Sequence, residues 1–257
     1  MDLPRNPFKR ALRERRHQIG LWCSLSHHYS LEAVAGAAFD WLLLDMEHSP
    51  NDLESLLVQL QAVAAYAPAP VVRVPWNDTV TIKRVLDAGA QSLLIPYVQT
   101  LEEARAAVAA TRYPPEGVRG VAGTTRATRF GRVARYAQRA HEEICLLVQL
   151  ETKDALQHIE AIAALEGIDG IFIGPADLHA SLGLAGEVAH PQVWPLIEQA
   201  IGRIRAAGKA PGILIGDERL ASRCIELGTL FTAVGSDVGL LARGADALAA
   251  RFAKTSR

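Results

Sequence analysis

Ala35-Gly36-Ala37-Ala38-Phe39-Asp40-Trp41-Leu42-Leu43-Leu44-Asp45 decides the fold. A helix ends near a glycine able to take a left-handed cap, and a short apolar run follows and stops at a charged residue. Ala88 to Pro96, Glu166 to Pro175 and Glu226 to Gly235 repeat the same order. Short continuous apolar runs fit strands buried on both faces, as in a parallel sheet. Between them, Leu53 to Leu60 and Thr100 to Thr111 carry apolar residues at helical spacing. Eight strands are predicted, near 19–24, 41–45, 70–74, 92–96, 145–150, 169–173, 210–215 and 230–235. Strand and helix alternate throughout, which points to α/β. Eight strands in 257 residues favour one closed (β/α)8 TIM barrel spanning 1–257 over an open doubly wound sheet.

Composition narrows the function classes. Hydrophobic residues are 49% of the chain, charged residues 21%, and the formal net charge is −1. That balance leaves no electrostatic footprint for nucleic acid or an anionic membrane. No apolar run approaches the ~20 residues a bilayer span needs. Met1 to His17 is basic without an apolar core, so it does not read as a secretory signal, and a cytoplasmic location is expected. Asn6-Pro7-Phe8-Lys9 reads as a capped helix with proline in its first turn. Cys23, Cys145 and Cys224 form no metal or disulfide spacing. A proline-, glycine- and arginine-rich stretch, Tyr113 to His141, breaks the rhythm after the fourth strand. Taken as a long strand-to-helix loop, it is expected on the catalytic face.

On this fold the active site forms at the C-terminal ends of the strands. The polar residues there are Asp45, Glu47 and His48; Arg73; Gln149 and Glu151; Asp177; Asp217 and Glu218; and Asp237. Glu151 and Asp177 end adjacent strands, so their carboxylates can converge on a hard cation; equally, Asp177 can simply cap the helix it opens. His48, in a polar loop three residues after Asp45, is a candidate base with that carboxylate to orient it. His27-His28 is a lesser candidate. Arg73 puts a charge inside Val71-Val72-Arg73-Val74-Pro75, so it needs an anion: a structural carboxylate or a substrate oxygen. No lysine falls within a strand, so carbanion chemistry by a Schiff base is excluded and a metal is needed instead.

These motifs together resemble the HpcH/HpaI aldolases, metal-dependent pyruvate aldolases related to 4-hydroxy-2-oxoheptanedioate aldolase and 2-keto-3-deoxy-L-rhamnonate aldolase. The likeness runs from Asn6 to about Leu241. It rests on Gly20-Leu21-Trp22, Phe39-Asp40-Trp41, Glu47-His48-Ser49-Pro50-Asn51-Asp52, Val72-Arg73-Val74-Pro75, Asp87-Ala88-Gly89-Ala90, Tyr113-Pro114-Pro115-Glu116-Gly117, Gln149-Leu150-Glu151-Thr152 and Gly170 to Leu178. The resemblance implies a barrel of the phosphoenolpyruvate/pyruvate type. It implies reversible cleavage of a 4-hydroxy-2-oxo acid to pyruvate and an aldehyde, in aromatic or sugar-acid catabolism. Glu151 and Asp177 would bind Mg²⁺, Mn²⁺ or Co²⁺. His48 would be the base, Asp45 its partner and Arg73 the group on the pyruvyl oxygen. Gln149, Trp22 and the backbone around Gly174, Pro175 and Ala176 would line the pyruvate site. It also implies a homo-hexamer exchanging helices near the C-terminus, for which Val238 to Phe252 is suited. Two departures stand out: Met46 where the family often has glycine, and an arginine-bearing loop, Thr124 to Phe130, one residue shorter than usual in the region expected to meet the aldehyde. The rival readings are an acyl-CoA thioester lyase of the citrate-lyase β-subunit type and a barrel that binds oxo acids without turnover.

Overall fold

The structure, a computed structural model, describes residues 1–187 and 189–253. Eight parallel strands close into a barrel in simple sequence order: β1 Gln18–Cys23, β2 Trp41–Asp45, β3 Ala69–Arg73, β4 Ser92–Ile95, β5 Cys145–Leu150, β6 Gly170–Ile173, β7 Ala210–Leu214 and β8 Phe231–Ser236. Helices α1 Pro7–Arg13, α2 His28–Ala35, α3 Leu53–Val63, α4 Thr79–Asp87, α5 Leu101–Thr111, α6 Tyr136–Glu143, α7 Ile159–Ala163, α8 Pro175–Ala180, α9 Trp194–Ala206, α10 Glu218–Leu227 and α11 Asp237–Ala253 intervene. The (β/α)8 barrel and all eight strand positions expected from the apolar runs are therefore present.

Two apolar layers explain why those runs are continuous. Leu42, Leu44, Val72, Leu93 and Ile95 face the helices, in a cluster with Leu56, Ile82 and Val85. Their neighbours Trp41, Leu43, Val71, Leu94, Leu147 and Phe172 fill the barrel interior. Because a strand's side chains alternate, both sides of each strand are dry. Helix α1 plugs the N-terminal end. Asn6 accepts from Lys9 N at 3.0 Å and Pro7 opens the helix, as expected, and Phe8 packs 5.7 Å from Trp41 and 5.8 Å from Phe231. The three cysteines are buried, and burial pushes their thiols up.

Gly89, Gly167 and Gly228 are left-handed, with φ of 102°, 102° and 97°, as the repeated pattern requires. Gly36 is not: it continues α2 in right-handed geometry at φ −76°.

One expectation is overturned. The stretch from Tyr113 to His141 does not follow β4 directly, because α5 lies between them. It is a helix-to-strand connection and sits at the N-terminal end of the barrel. Arg126 donates to Ala88 O at 2.9 Å, Ala127 N donates to Asp87 O at 3.2 Å, and the N-terminal amine donates to Arg132 O at 3.0 Å. Within this chain it is away from the strand ends and cannot meet an aldehyde there. Arg119 is fully buried in it, tied to Asp87 at 2.6 Å and stacked over Tyr113 at 4.6 Å. Arg119 and Arg126 thus tie the segment to the end of α4, while Arg129, Arg132 and Arg135 are exposed.

Candidate active site

The top layer of the barrel interior is polar where the layers below are apolar. Counting by twos, Trp41, Leu43 and Asp45 point inward on β2, as do Ala69, Val71 and Arg73 on β3, and Cys145, Leu147 and Gln149 on β5. Asp45 and Arg73 are direct register partners on adjacent strands. Arg73 meets Asp45 in a two-point fork, Nε to Oδ1 at 2.8 Å and Nη2 to Oδ2 at 2.7 Å. Its Nη1 lies 2.6 Å from Glu47 Oε2, and its guanidinium stacks 4.8 Å over the Trp22 ring. Trp22 Nε1 donates to Asp45 Oδ2 at 3.3 Å. Burial works against the Asp45 charge, but the Arg73 bonds outweigh it and hold the carboxyl below the ordinary range.

This arrangement reassigns the partner expected for His48. Both carboxylate oxygens of Asp45 are engaged by Arg73, by Trp22 and by Glu47 N at 3.0 Å. His48 instead lies beside Glu47, with Nε2 3.9 Å from Oε2, and its imidazole is 69% exposed at the cleft. Burial, the first cause, raises the Glu47 carboxyl against the pull of Arg73 and His48. The loop that presents His48 is folded back on the end of β2. Ser49 Oγ and Asn51 Nδ2 both donate to Asp45 O, Gln59 Nε2 donates to Asn51 Oδ1, and Asp52 caps α3 through Ser55 N at 2.8 Å. The Glu-His-Ser-Pro-Asn-Asp run is thus one His-bearing turn with its own supports.

Across the barrel, β5 and β6 bring the second group together. Glu151, one residue past β5, is 2% exposed. Its Oε1 accepts from Tyr97 N at 2.8 Å and its Oε2 from Gln149 Nε2 at 2.6 Å. Gly174, one past β6, must be glycine: a Cβ there would sit 2.5 Å from Glu151 Oε2 and 2.9 Å from Gln149 Nε2. Asp177 follows in the first turn of α8. Burial and then the Asp177 charge push the Glu151 carboxyl up to about 7, against the two hydrogen bonds that favour its ionised form. Gln149 Oε1 is buried with no hydrogen-bond partner among the described residues.

Trp22, His48, Arg73, Gln149 and Asp177 line one cleft of about 550 Å³, with the backbone of Gly174, Pro175 and Ala176. Every residue that the family resemblance implies for the site lines this cleft or bonds directly to one that does; Asp217 instead caps α10, and Asp237 accepts from Ser24 N at 2.8 Å and Leu25 N at 3.2 Å. His27 and His28 stack on each other at 4.3 Å, and His27 caps α2 by accepting from Tyr29 N at 3.2 Å. Several contributors escaped sequence reading, Leu214 and Ile215 among them. Glu47 was visible but unassigned, the Tyr97 contribution is a backbone amide with no side-chain signal, and Phe172 and Glu187 line the cleft from an apolar run and a loop. Lys9, the one buried lysine named in the helix at the barrel's base, pairs with Asp169 at 3.6 Å at the opposite end from the cleft.

Comparison with known proteins gives this geometry a family. The sequence profile of HpcH/HpaI aldolase/citrate lyase matches residues 18–244. A protein of Rhizobium etli named pyruvate aldolase is 62% identical over 98% of this chain and 100% of its own length. A protein of Salmonella dublin named 4-hydroxy-2-oxo-heptane-1,7-dioate aldolase is 58% identical over 96% of this chain and 95% of its own. A crystal structure described as a HpcH/HpaI aldolase/citrate lyase family protein from Burkholderia cenocepacia superposes with a TM-score of 0.92 at 40% identity, covering 96% of this chain and 98% of that one. With the barrel closed and the carboxylate, arginine and histidine groups gathered at its C-terminal mouth, the chain belongs to the HpcH/HpaI aldolase/citrate lyase family.

Proposed function

We propose that this chain is a divalent-metal-dependent aldolase that reversibly cleaves 4-hydroxy-2-oxo acids to pyruvate and an aldehyde. The observation that carries the reading is the Glu151–Asp177 pair at the ends of adjacent strands, where burial first and the Asp177 charge second push the Glu151 carboxyl up to about 7, in the same cleft as Arg73 and His48. Two adjoining carboxylates call for shared protons or a cation. Among the described residues no cluster of three or more His, Cys, Asp or Glu ligands forms, so the chain offers two hard oxygen donors and leaves the other positions to water and substrate. That donor set fits Mg²⁺, Mn²⁺ or Co²⁺. Held by Glu151 and Asp177, such an ion supplies Lewis-acid stabilisation of charge on the 2-oxo oxygen.

The chain's own groups do the rest. Tyr97 N and Gln149 Nε2 fix the Glu151 carboxylate, and Gly174 leaves the space it occupies. Arg73 is held by Asp45 and Glu47, and each of its Nη atoms keeps a further N–H to direct at the same 2-oxo oxygen. His48 stands free at the mouth to take the 4-hydroxyl proton as the C3–C4 bond breaks, and Glu47 stabilises it when it carries that proton. Trp22 walls the pyruvyl end.

Pyruvate release from 4-hydroxy-2-oxoheptanedioate and 2-keto-3-deoxy sugar acids, coupled to lactate dehydrogenase, tests this. Release that EDTA stops and Mg²⁺, Mn²⁺ or Co²⁺ restores is the expected result. No release with metal bound would support a non-catalytic barrel; measurable coenzyme A binding would support the thioester lyase, which relatives named aldolases at 58–62% identity disfavour. The proposed setting is the cytoplasm; no described helix is long and apolar enough to cross a membrane. The proposed assembly is a homo-hexamer. Helix α11 supports it, because Val238, Leu240, Leu241 and Leu248 are all about half exposed or more on this single chain. Light scattering in solution decides the copy number.

A further inference from the structure

We infer that Trp76 is a positioning residue for the metal site: by stacking on the Tyr97 ring, it holds the Tyr97 backbone in the left-handed turn that aims its N–H at Glu151. The inference rests on the reading of Glu151 as a metal ligand. It adds a residue whose ring does not line the cleft.

Tyr97 has a φ of 51°, a region where a side chain bearing a Cβ crowds its own backbone. The turn answers a local demand. Just past the end of β4, two consecutive amides serve β5 and the residue after it: Tyr97 N donates to Glu151 Oε1 at 2.8 Å, and Val98 N donates to Gln149 O at 3.0 Å. In an extended strand, successive N–H groups point to opposite sides. The left-handed residue brings both to the same side, as in the backbone nests that cradle anions. Pro96 and Val98 are buried, but the Tyr97 ring is 41% exposed. It lies on Trp76, with ring centroids 5.8 Å apart and planes 26° from parallel. Such a stack stabilises by the same order as the left-handed conformation costs.

Trp76 is itself firmly placed. It follows β3 in the loop before α4, where Asp78 N donates to Trp76 O at 2.9 Å. Asn77 Nδ2 donates to Glu103 O on α5 at 2.9 Å, and Asp78 caps α4 through Thr81 N at 2.7 Å. The stack therefore carries the position of the loop after β3 to the amide after β4, and from there to the carboxylate after β5. That amide matters because Glu151 is buried and each of its oxygens is held by one hydrogen bond, from Tyr97 N and from Gln149 Nε2. Losing one frees the carboxylate to rotate, and loss of such a partner behind a metal ligand weakens affinity about 10–100-fold.

Mn²⁺ affinity, read by calorimetry on the metal-free full chain, tests the inference, with far-UV circular dichroism checking that each variant is folded. Trp76→Ala should weaken binding about ten-fold, and Trp76→Phe, which keeps a ring to stack on, should stay near wild type. Tyr97 provides the decisive comparison. Tyr97→Ala loses the ring but keeps the Cβ, so affinity should again fall about ten-fold. Tyr97→Gly loses both, and glycine takes positive φ without penalty, so affinity should stay near wild type, in the Trp76→Ala background as well. This reverses the usual order, in which glycine does more harm than alanine. Wild-type affinity in Trp76→Ala, or binding by Tyr97→Gly no tighter than by Tyr97→Ala, overturns the inference and leaves the metal site intact. Wild type that binds no Mn²⁺ overturns the metal reading together with it.

Discussion

Replacing Arg73 by Met separates two roles that geometry superimposes. Arg73 is 6% exposed and Asp45 1%, and they share a bidentate contact of 2.7 and 2.8 Å. Removing one partner of such a pair strands the other charge, which costs about 3–5 kcal/mol. Asp45 would keep only Trp22 Nε1 at 3.3 Å and Glu47 N at 3.0 Å. In wild type its carboxyl lies below the ordinary value, so its contribution is present above the unfolded pKa of about 4 and is lost only as pH falls through the folded one. Between pH 5 and 8 it adds no slope. In Arg73→Met, burial is opposed only by those two weaker bonds and raises the folded pKa. The variant should then recover stability relative to wild type as pH falls from 8 to 5. The double variant Asp45→Asn/Arg73→Met removes the stranded charge and should regain about 2 kcal/mol, yet stay at least about 100-fold down in kcat, because the charge aimed at the developing oxyanion is still missing. Urea unfolding at several pH values and the coupled pyruvate assay measure both. Activity returning with stability in the double variant would refute the catalytic role and leave Arg73 a structural cation. A pH-independent gap between Arg73→Met and wild type would refute the stranded carboxylate.

Other consequences are open to measurement. With metal removed, Glu151 has a folded pKa of about 7 against 4.5. Its contribution is fully present below the unfolded value and lost as pH rises through about 7, roughly 3 kcal/mol in all, so Tm in EDTA should fall from pH 5 to 8 and Mn²⁺ should restore it; a flat profile in EDTA would count against the carboxylate pair. Gly174→Ala should fold but weaken metal affinity about 10–100-fold, read by calorimetry, since its Cβ displaces Glu151. Gly20→Ala should lower stability by about 1–3 kcal/mol without changing metal affinity, because its Cβ overlaps the Trp41 ring inside the barrel rather than the cleft. Wild-type stability in that variant would show that the interior yields around the Trp41 ring.

The strands were legible because a barrel strand is dry on both sides, so each one shows as an unbroken apolar run. The charged residues that end those runs were legible for the same reason: Asp45, Arg73 and Glu151 stand out against Leu, Val and Ile. Partnership was not legible. Asp45 is three residues from His48 in sequence, but across the sheet it faces Arg73, and a strand register cannot be read from one strand. The placement of the long arginine-rich segment was not legible because its composition is the same whether it follows a strand or, as here, the helix at 101–111. Tyr97 contributes a backbone amide and Glu187 lines the cleft from a loop, and neither position has a periodic signature.

The charged groups of the cleft form two pairs from neighbouring strands, and the pairs differ in one respect. At β2 and β3 the pair is Asp45 with Arg73, which neutralise each other and are held further by Trp22 and Glu47. At β5 and β6 the pair is Glu151 with Asp177, which repel and remain in tension until a cation or a proton arrives. The same architecture thus gives one pole that is complete and one that is not. In the proposed reaction a cation would relieve the repulsion at the incomplete pole, and a 2-oxo acid drawn to that cation would lie with its oxygens toward Arg73. On that reading, strand order around the barrel would set the direction in which the substrate is held.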